Sequence, residues 1–257
     1  LGLPTILHES NALPGKVTRW LSPWCSQVAI GFDAAASYLP KAVTFCVGTP
    51  VRPEFYPPVT VASSLDQAGL ILLKDLNIPV DVPLIVVVGG SQGAVAVNQL
   101  VRQSAPAWFD QGIWIVHLTG TNDTEADSLS HPQYIARPFY DDMANLLRRA
   151  TFVISRAGAG TLTELAITRT PSVLIPYPYA AEDHQTYNAA IFAATGAAKV
   201  YQQAELTPKI LQQEVLDIFH SPRLEQMAEA TGKLAIADSA QRLADLVLDL
   251  LGNRNNV

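Results

Sequence analysis

The sequence predicts an α/β protein built on parallel sheets, and three observations carry that expectation. Short apolar stretches alternate with segments of helical periodicity along most of the chain. The apolar stretches end in glycine or small polar residues, as strands do when they feed a helix. One stretch, LIVVVGGSQGA at 84–94, joins an apolar run, a glycine-rich turn and the start of a helical pattern. Such a unit places backbone N–H groups and the positive end of a helix at the carboxyl edge of a sheet, where open α/β sheets bind phosphate-bearing ligands. The pattern is Gly-Gly-x-x-Gly, short of a full dinucleotide fingerprint, so a plain tight turn is the competing reading.

The elements follow in order. Residues 3–7 read as a strand running into His8-Glu9-Ser10-Asn11, and Pro14-Gly15 opens a short helix to Leu21. Strands are expected at 27–31 and 42–47, with a short helix at 33–38 between them. Residues 53–61, with Pro57-Pro58, read as a linker, and 65–76 as a helix carrying Leu65, Ala68, Leu72 and Leu76 at helical spacing. A second series then runs strand 84–88, helix 94–108, strand 113–118, a polar loop 120–132, strand 133–137, helix 141–150, strand 151–155, helix 161–168, strand 172–176, helix 183–195 and strand 198–201. Thr207-Pro208 and Ser221-Pro222 each read as an N-cap followed by a first-turn proline. A last helix is expected at 238–251, with Leu243, Leu246, Val247 and Leu250 on one stripe.

Composition narrows the function. Of 257 residues 49% are apolar and 16% charged, enough for a well-filled core. A formal net charge of −6 argues against nucleic acid held by global electrostatics. Cys25 and Cys46 lack metal-ligand spacing and read as free thiols of a reducing compartment. No apolar run approaches the roughly 18–20 residues of a membrane-spanning helix. Leu1 is not an initiator methionine and stands just before a strand, so an N-terminally incomplete first domain is expected.

The residues able to carry chemistry share one placement, where a strand ends and a helix begins. Ser91, Gln92 and the N–H groups around Gly90 and Gly93 suit a diphosphate. Ser155-Arg156-Ala157-Gly158-Ala159-Gly160-Thr161 is a second glycine-rich turn, with Glu164 one turn further on. Glu164 either accepts two sugar hydroxyls or closes a Thr161–Glu164 capping box. His184 and Gln185 offer neutral donors and acceptors for sugar hydroxyls, while Asp183 reads as an N-cap. His8 reads as a base, a diphosphate contact or a histidine satisfied by loop backbone; Arg52 reads as a phosphate contact or a surface charge. There is no G-x-x-x-x-G-K-[ST], no G-x-S-x-G and no Asp-x-Asp, and no second His or Cys stands at zinc-ligand spacing from His184. A site without metal or cofactor is therefore expected, in which backbone dipoles and donors neutralise a diphosphate.

Taken together these segments resemble a known family. HESNALPG (8–15), VGTPVR (47–52), VVGGSQGA (87–94), RPFYDDM (137–143), SRAGAGTLTELA (155–166) and PYAAEDHQTYNA (178–189) are similar, in order, to the motifs of the MurG N-acetylglucosaminyltransferases. The resemblance implies an α/β GT-B arrangement of two Rossmann-like domains, the N-terminal one incomplete here. It divides the chain into an acceptor-side and membrane-side part at 1–54, a linker and first helix at 55–82, a donor-binding domain at 83–237, and a C-terminal helix and tail at 238–257 expected to pack back on the first part. It implies inverting transfer of N-acetylglucosamine from UDP-N-acetylglucosamine to the C4 hydroxyl of lipid I, the undecaprenyl-diphospho-N-acetylmuramoyl pentapeptide, at the cytoplasmic face of the bacterial plasma membrane. By position, Ser91 and Gln92 resemble diphosphate contacts, Arg52 and Tyr140 uridine contacts, and Ala159 and Thr161 the loop near the diphosphate. Glu164 resembles the carboxylate on the ribose hydroxyls, His184 and Gln185 the N-acetylglucosamine contacts, Asn11 a donor-sugar contact and His8 an acceptor-side residue.

The departures are HESN for the commoner HEQN and VGTP for the commoner VGNP. The glycine-rich loop whose histidine is proposed as the family's base has no counterpart in these residues, which leaves the catalytic group unassigned. Trp20, Leu21, Trp24 and Lys16 read either as a remnant of a membrane-facing patch or, the simpler expectation, as buried aromatics with a neighbouring charge. A UDP-sugar-binding module without turnover and a related GT-B enzyme, such as a diacylglycerol galactosyltransferase or a UDP-N-acetylglucosamine 2-epimerase, are the competing functions; the 182–189 stretch argues against the last two.

Overall fold

A computed structural model describes residues 3–56, 73–90 and 94–252. The elements are β1 (Ile6–Glu9), α1 (Lys16–Leu21), β2 (Gln27–Ile30), β3 (Thr44–Cys46), β4 (Leu84–Val88), α2 (Val95–Phe109), β5 (Trp114–Leu118), β6 (Tyr134–Arg137), α3 (Met143–Arg149), β7 (Phe152–Ser155), α4 (Ala159–Thr168), β8 (Ser172–Leu174), α5 (His184–Ala194), β9 (Ala198–Val200), α6 (Pro208–Phe219), α7 (Arg223–Lys233) and α8 (Ser239–Gly252). Short 3₁₀ segments lie at Ser22–Trp24, Asp33–Tyr38, Pro53–Phe55, Lys74–Leu76 and Ala181–Asp183.

Two parallel sheets form. The first has the order β1-β2-β3; the second has six strands in the order β6-β5-β4-β7-β8-β9. Numbered within its own domain the second sheet runs 3-2-1-4-5-6, the doubly wound order of dinucleotide-binding folds. β4 sits at its centre and is buried on both faces, which is why its sequence is a continuous apolar run rather than an alternating one. Leu84 and Val86 face one core with Leu162, Leu165 and Phe192; Ile85 and Val87 face the other with Val97, Val101 and Trp108. Each such fully buried aliphatic side chain contributes about 1.5–3 kcal/mol.

Local chemistry sets most helix ends. Thr207 caps α6 by accepting from the Ile210 N–H, with Pro208 at the first helical position, and Asp142 caps α3 by accepting from the Asn145 N–H. Ser221 does not cap α7. Pro222 takes that place, and the Ser221 hydroxyl donates back to the Ile218 carbonyl, closing α6. The two helices are too close for Ser221 to serve both. α4 begins at Ala159, two residues before the expected Thr161. β8 stops at Leu174 ahead of Pro176, which has no N–H for a ladder. Of the helix expected at 65–76, all but the final turn lies outside the described residues, as do Pro57-Pro58 of the linker.

Leu246 of α8 packs with Ala29 of β2 and Val47 after β3, so the last helix covers the first sheet. The approach is tight at Gly48, whose φ is +78° and where a Cβ would stand 2.9 Å from Cβ of Ile236. The expectation of buried aromatics on α1 is overturned. Trp20 is 67% and Trp24 69% exposed, in edge-to-face contact with centroids 5.6 Å apart. α1 has only six residues and buries none of them, so helical periodicity had nothing to report.

Candidate active site

The strand order reverses between β4 and β7, and the two glycine-rich turns leave the sheet there side by side. Val88 pairs with Ser155, and the Arg156 N–H donates to the Val88 carbonyl at 3.3 Å. α2 then packs on one face of the sheet and α4 on the other, opening a crevice between their N-termini. Gly90 has a φ of +91°, and a Cβ on Gly89 would meet the Ala94 nitrogen at 2.8 Å, so the first turn requires both glycines. Ser91 and Gln92, expected to touch a diphosphate, lie outside the described residues. Unlike α3 and α6, neither α2 nor α4 has a side chain hydrogen-bonded over its first turn among the described residues. Two helix ends with free N–H groups therefore converge on one crevice, a setting suited to an anion.

α4 settles one local question. Its N-cap is Gly158, so Ala159 and Thr161 lie in the first turn and Glu164 a turn beyond it. Thr161 and Glu164 cannot form a capping box, because neither stands at the helix start. The Glu164 carboxylate is half-buried and makes no hydrogen bond among the described residues. Burial pushes its pKa up, and the Arg52 charge only partly offsets this. Arg52 thus sits within electrostatic reach of Glu164 without forming an ion pair, its guanidinium 5.3 Å from the centre of the Phe55 ring. Tyr140 donates to Asp75 Oδ1 at 2.8 Å; burial and that carboxylate raise its pKa. A carboxylate with no hydrogen-bond donor among the described residues, and with a cation within electrostatic reach, can receive a pair of sugar hydroxyls.

α5 brings the first sheet to the crevice. Gln185 Oε1 accepts from the Ala157 N–H at 3.1 Å and the Tyr177 N–H at 2.9 Å, which leaves its Nε2 as the free donor. His184 donates through Nδ1 to the Ala181 carbonyl at 2.8 Å, so Nε2 is the acceptor presented outward. Asp183 occupies the N-cap position without capping; its carboxylate accepts the Thr186 hydroxyl at 2.7 Å.

Asn188 and Glu9 were not singled out from the sequence, yet both organise the site. Asn188 is fully buried. Its Oδ1 accepts from the Ala12 N–H at 2.8 Å, and its Nδ2 donates to Asn11 Oδ1 at 3.0 Å and the Ala157 carbonyl at 3.2 Å. Glu9 gathers the 8–15 loop: its carboxylate accepts from the Asn11 N–H, Asn11 Nδ2 and the Gly15 N–H. Burial pushes the Glu9 pKa up, but those bonds and one from Thr18 outweigh it, and the net shift is downward. His8 is engaged on both nitrogens, Nε2 donating to the Gly48 carbonyl at 2.9 Å and Nδ1 facing Ser10 Oγ at 3.5 Å. An Arg19–Glu182 ion pair and a Tyr38–Tyr187 edge-to-face contact add to the same seam. The only signal for Asn188 was its position three residues after Gln185, on the same helical face. Among the described residues no group of three His, Cys, Asp or Glu could hold a metal ion.

A doubly wound parallel sheet with helices on both faces is the architecture of one domain of a GT-B glycosyltransferase. In agreement, residues 84–243 match the glycosyltransferase family 28 C-terminal domain, and the protein is a glycosyltransferase. The UDP-N-acetylglucosamine--N-acetylmuramyl-(pentapeptide) pyrophosphoryl-undecaprenol N-acetylglucosamine transferase of Nostoc punctiforme is 60% identical over 252 residues, 98% of this chain and 68% of that protein. Its Gloeothece citriformis counterpart is 60% identical over 247 residues, 96% of this chain and 65% of that protein. The crystal structure of Acinetobacter baumannii MurG superposes with a TM-score of 0.74 at 28% identity, covering 96% of this chain and 68% of that one. The chain belongs to the MurG family, and spans about two thirds of the length of these curated relatives. The calicheamicin glycosyltransferase CalG4, at 17% identity and a TM-score of 0.62 over 89% of this chain and 54% of that one, shares the fold alone.

Proposed function

We propose that this chain binds UDP-N-acetylglucosamine in the crevice between α2 and α4 and serves the transfer of N-acetylglucosamine to the C4 hydroxyl of lipid I, giving lipid II. The half-buried Glu164, which has no hydrogen-bond partner among the described residues and lies within electrostatic reach of Arg52, carries this reading. Glu164 receives the ribose hydroxyls, and Arg52 and Tyr140 flank the base. The N–H groups opening α2 and α4 take up charge as the diphosphate leaves, together with Ser91 and Gln92. Attack in line by the acceptor hydroxyl needs a base. His8 has both ring nitrogens engaged, on the Gly48 carbonyl and at Ser10 Oγ, and so offers no free acceptor for that proton. His184 Nε2, Gln185 Nε2 and Asn11 lie on the sugar side.

Calorimetry with UDP tests the carrying observation. Glu164→Ala leaves ribose hydroxyls unpaired and should weaken binding by about 1–3 kcal/mol. Unchanged affinity would remove Glu164 from the site. Transfer from UDP-N-acetylglucosamine to a lipid I analogue, measured alongside, separates an enzyme from a binding module without turnover.

We further propose that α1 meets the membrane surface at its cytoplasmic side, where the acceptor's undecaprenyl chain is anchored. Among the described residues no helix is long and apolar enough to cross a membrane. Trp20 and Trp24 instead stand exposed beside the exposed Lys16 and Val17, a composition suited to the headgroup layer. Trp20→Ser with Trp24→Ser should abolish co-sedimentation with vesicles containing anionic lipid and leave UDP affinity intact. Full retention of vesicle binding would refute the assignment.

A further inference from the structure

Behind the N-terminus of α2 lies a buried polar cluster that joins this helix to the loop after β5. Asn98 lies in the first turn of α2 and is fully buried. Its Nδ2 donates to the Thr119 carbonyl at 2.8 Å and to Asp123 Oδ2 at 2.7 Å, which consumes both amide hydrogens. Its Oδ1 must then accept, and His117 Nε2 supplies the proton at 3.0 Å. That fixes the tautomer, because His117 Nδ1 is left to accept from the Tyr134 hydroxyl at 2.7 Å. Arg102, one turn after Asn98 on α2, reaches Asp123 through both terminal nitrogens at 2.7 and 3.3 Å, and Asp123 also accepts from the Glu125 N–H at 3.0 Å. His117, Asn98 and Arg102 are all buried.

The placement of this cluster is informative. Val88 pairs with Leu118, so the turn leaving β4 at Gly89 and the loop leaving β5 at Thr119 begin side by side. The cluster ties that loop, through Thr119 and Asp123, to the first turn of α2, through Asn98 and Arg102. A buried ion pair and a buried neutral histidine are poor sources of stability, since apolar residues of similar volume would serve as well. A fully satisfied polar network does hold one geometry against its alternatives. The N-terminus of α2 has the use for it: no described side chain caps the helix, so the directions of its free N–H groups must be set from elsewhere.

We propose that Asn98, His117, Asp123 and Arg102 are positioning residues that hold the first turn of α2 in the orientation in which its N–H groups meet the donor diphosphate. The inference rests on the donor-site reading above and adds to it the device that aligns the diphosphate contacts.

The test compares UDP with uridine, which lacks the phosphates, on the full chain and on Asn98→Leu, using calorimetry for UDP and ligand-observed NMR for uridine. UDP affinity should fall about tenfold or more while uridine affinity changes by less than about twofold, the folded state being checked by thermal unfolding. Equal weakening of both ligands, or no weakening of UDP in a folded variant, overturns the proposal. Should Asn98→Leu not fold, Asp123→Asn decides by the same comparison, since it keeps the shape and the Asn98 contact while removing the charge that anchors Arg102. Failure of the unsubstituted chain to bind UDP at all would refute the donor-site reading itself, a separate outcome.

Discussion

Asn188→Ala is expected to lower stability by about 2–4 kcal/mol, the range set by leaving buried donors and acceptors unpaired. Three groups lose their partner at once: the Ala12 N–H and Asn11 Oδ1 from the first sheet's loop, and the Ala157 carbonyl from the turn before α4. Asn188→Asp should be worse than the alanine variant. Its carboxylate still accepts from Ala12 but faces Asn11 Oδ1 and the Ala157 carbonyl, both of which need a donor. The same amide ties Asn11 to the donor-side turn, so donor binding should weaken along with stability. Urea unfolding of the two variants decides the matter: a loss below about 0.5 kcal/mol for Asn188→Ala, or an aspartate variant as stable as the parent, would show that the seam does not depend on this amide.

Acid should destabilise the protein well before its carboxylates titrate. Burial, with a further push from the Arg102 charge, pulls the His117 pKa down to about 3 from an ordinary value near 6.5. Between those values the unfolded chain binds a proton that the folded chain refuses, so stability rises with pH across this window and is lost as pH falls through it. A shift of this size corresponds to a loss on the order of 5 kcal/mol when the window has been crossed. Two carboxylates act in the same direction lower down. Burial opposes the charge of Asp123, but bonds from Arg102, Asn98 and the Glu125 N–H outweigh it, and Glu9 is held low in the same manner. Their stabilisation is present above the ordinary carboxylate range and disappears below it. Glu164 runs the other way, since burial raises its pKa and protonation relieves that cost. The expected result is a urea midpoint that falls steadily from pH 7 to pH 4.5, and a His117→Gln variant with a flatter slope. A midpoint constant over that range would mean that His117 is not held neutral.

Particular residues show how far the chain could be read in one dimension. Leu84–Val88 was legible as a doubly buried strand because both faces of a central parallel strand demand apolar side chains. Thr207-Pro208 was legible because a cap and a first-turn proline act over three residues. Ser221-Pro222 carries the same signature and misleads, since the hydroxyl is taken by the end of the helix before it. Thr161 and Glu164 have capping-box spacing, yet the helix has its N-cap at Gly158 and the box cannot close. Trp20, on a six-residue helix with no buried face, and Trp24, in the 3₁₀ turn after it, could not be sorted from periodicity.

The sequence by itself determined the parallel α/β class, the order of its strands and helices, and a set of motifs specific enough to indicate the family. Those features are local: apolar runs, turn glycines and helix caps act between residues close in the chain. Folding alone could bring Arg52 within reach of Glu164, set Asn188 between two loops more than 140 residues apart in the chain, and close Asn98, His117 and Asp123 around the start of α2. Each of those depends on a pairing of burial with a specific partner far along the chain. A polar side chain in the sequence gives no sign of either until the sheets have stacked and water has been excluded.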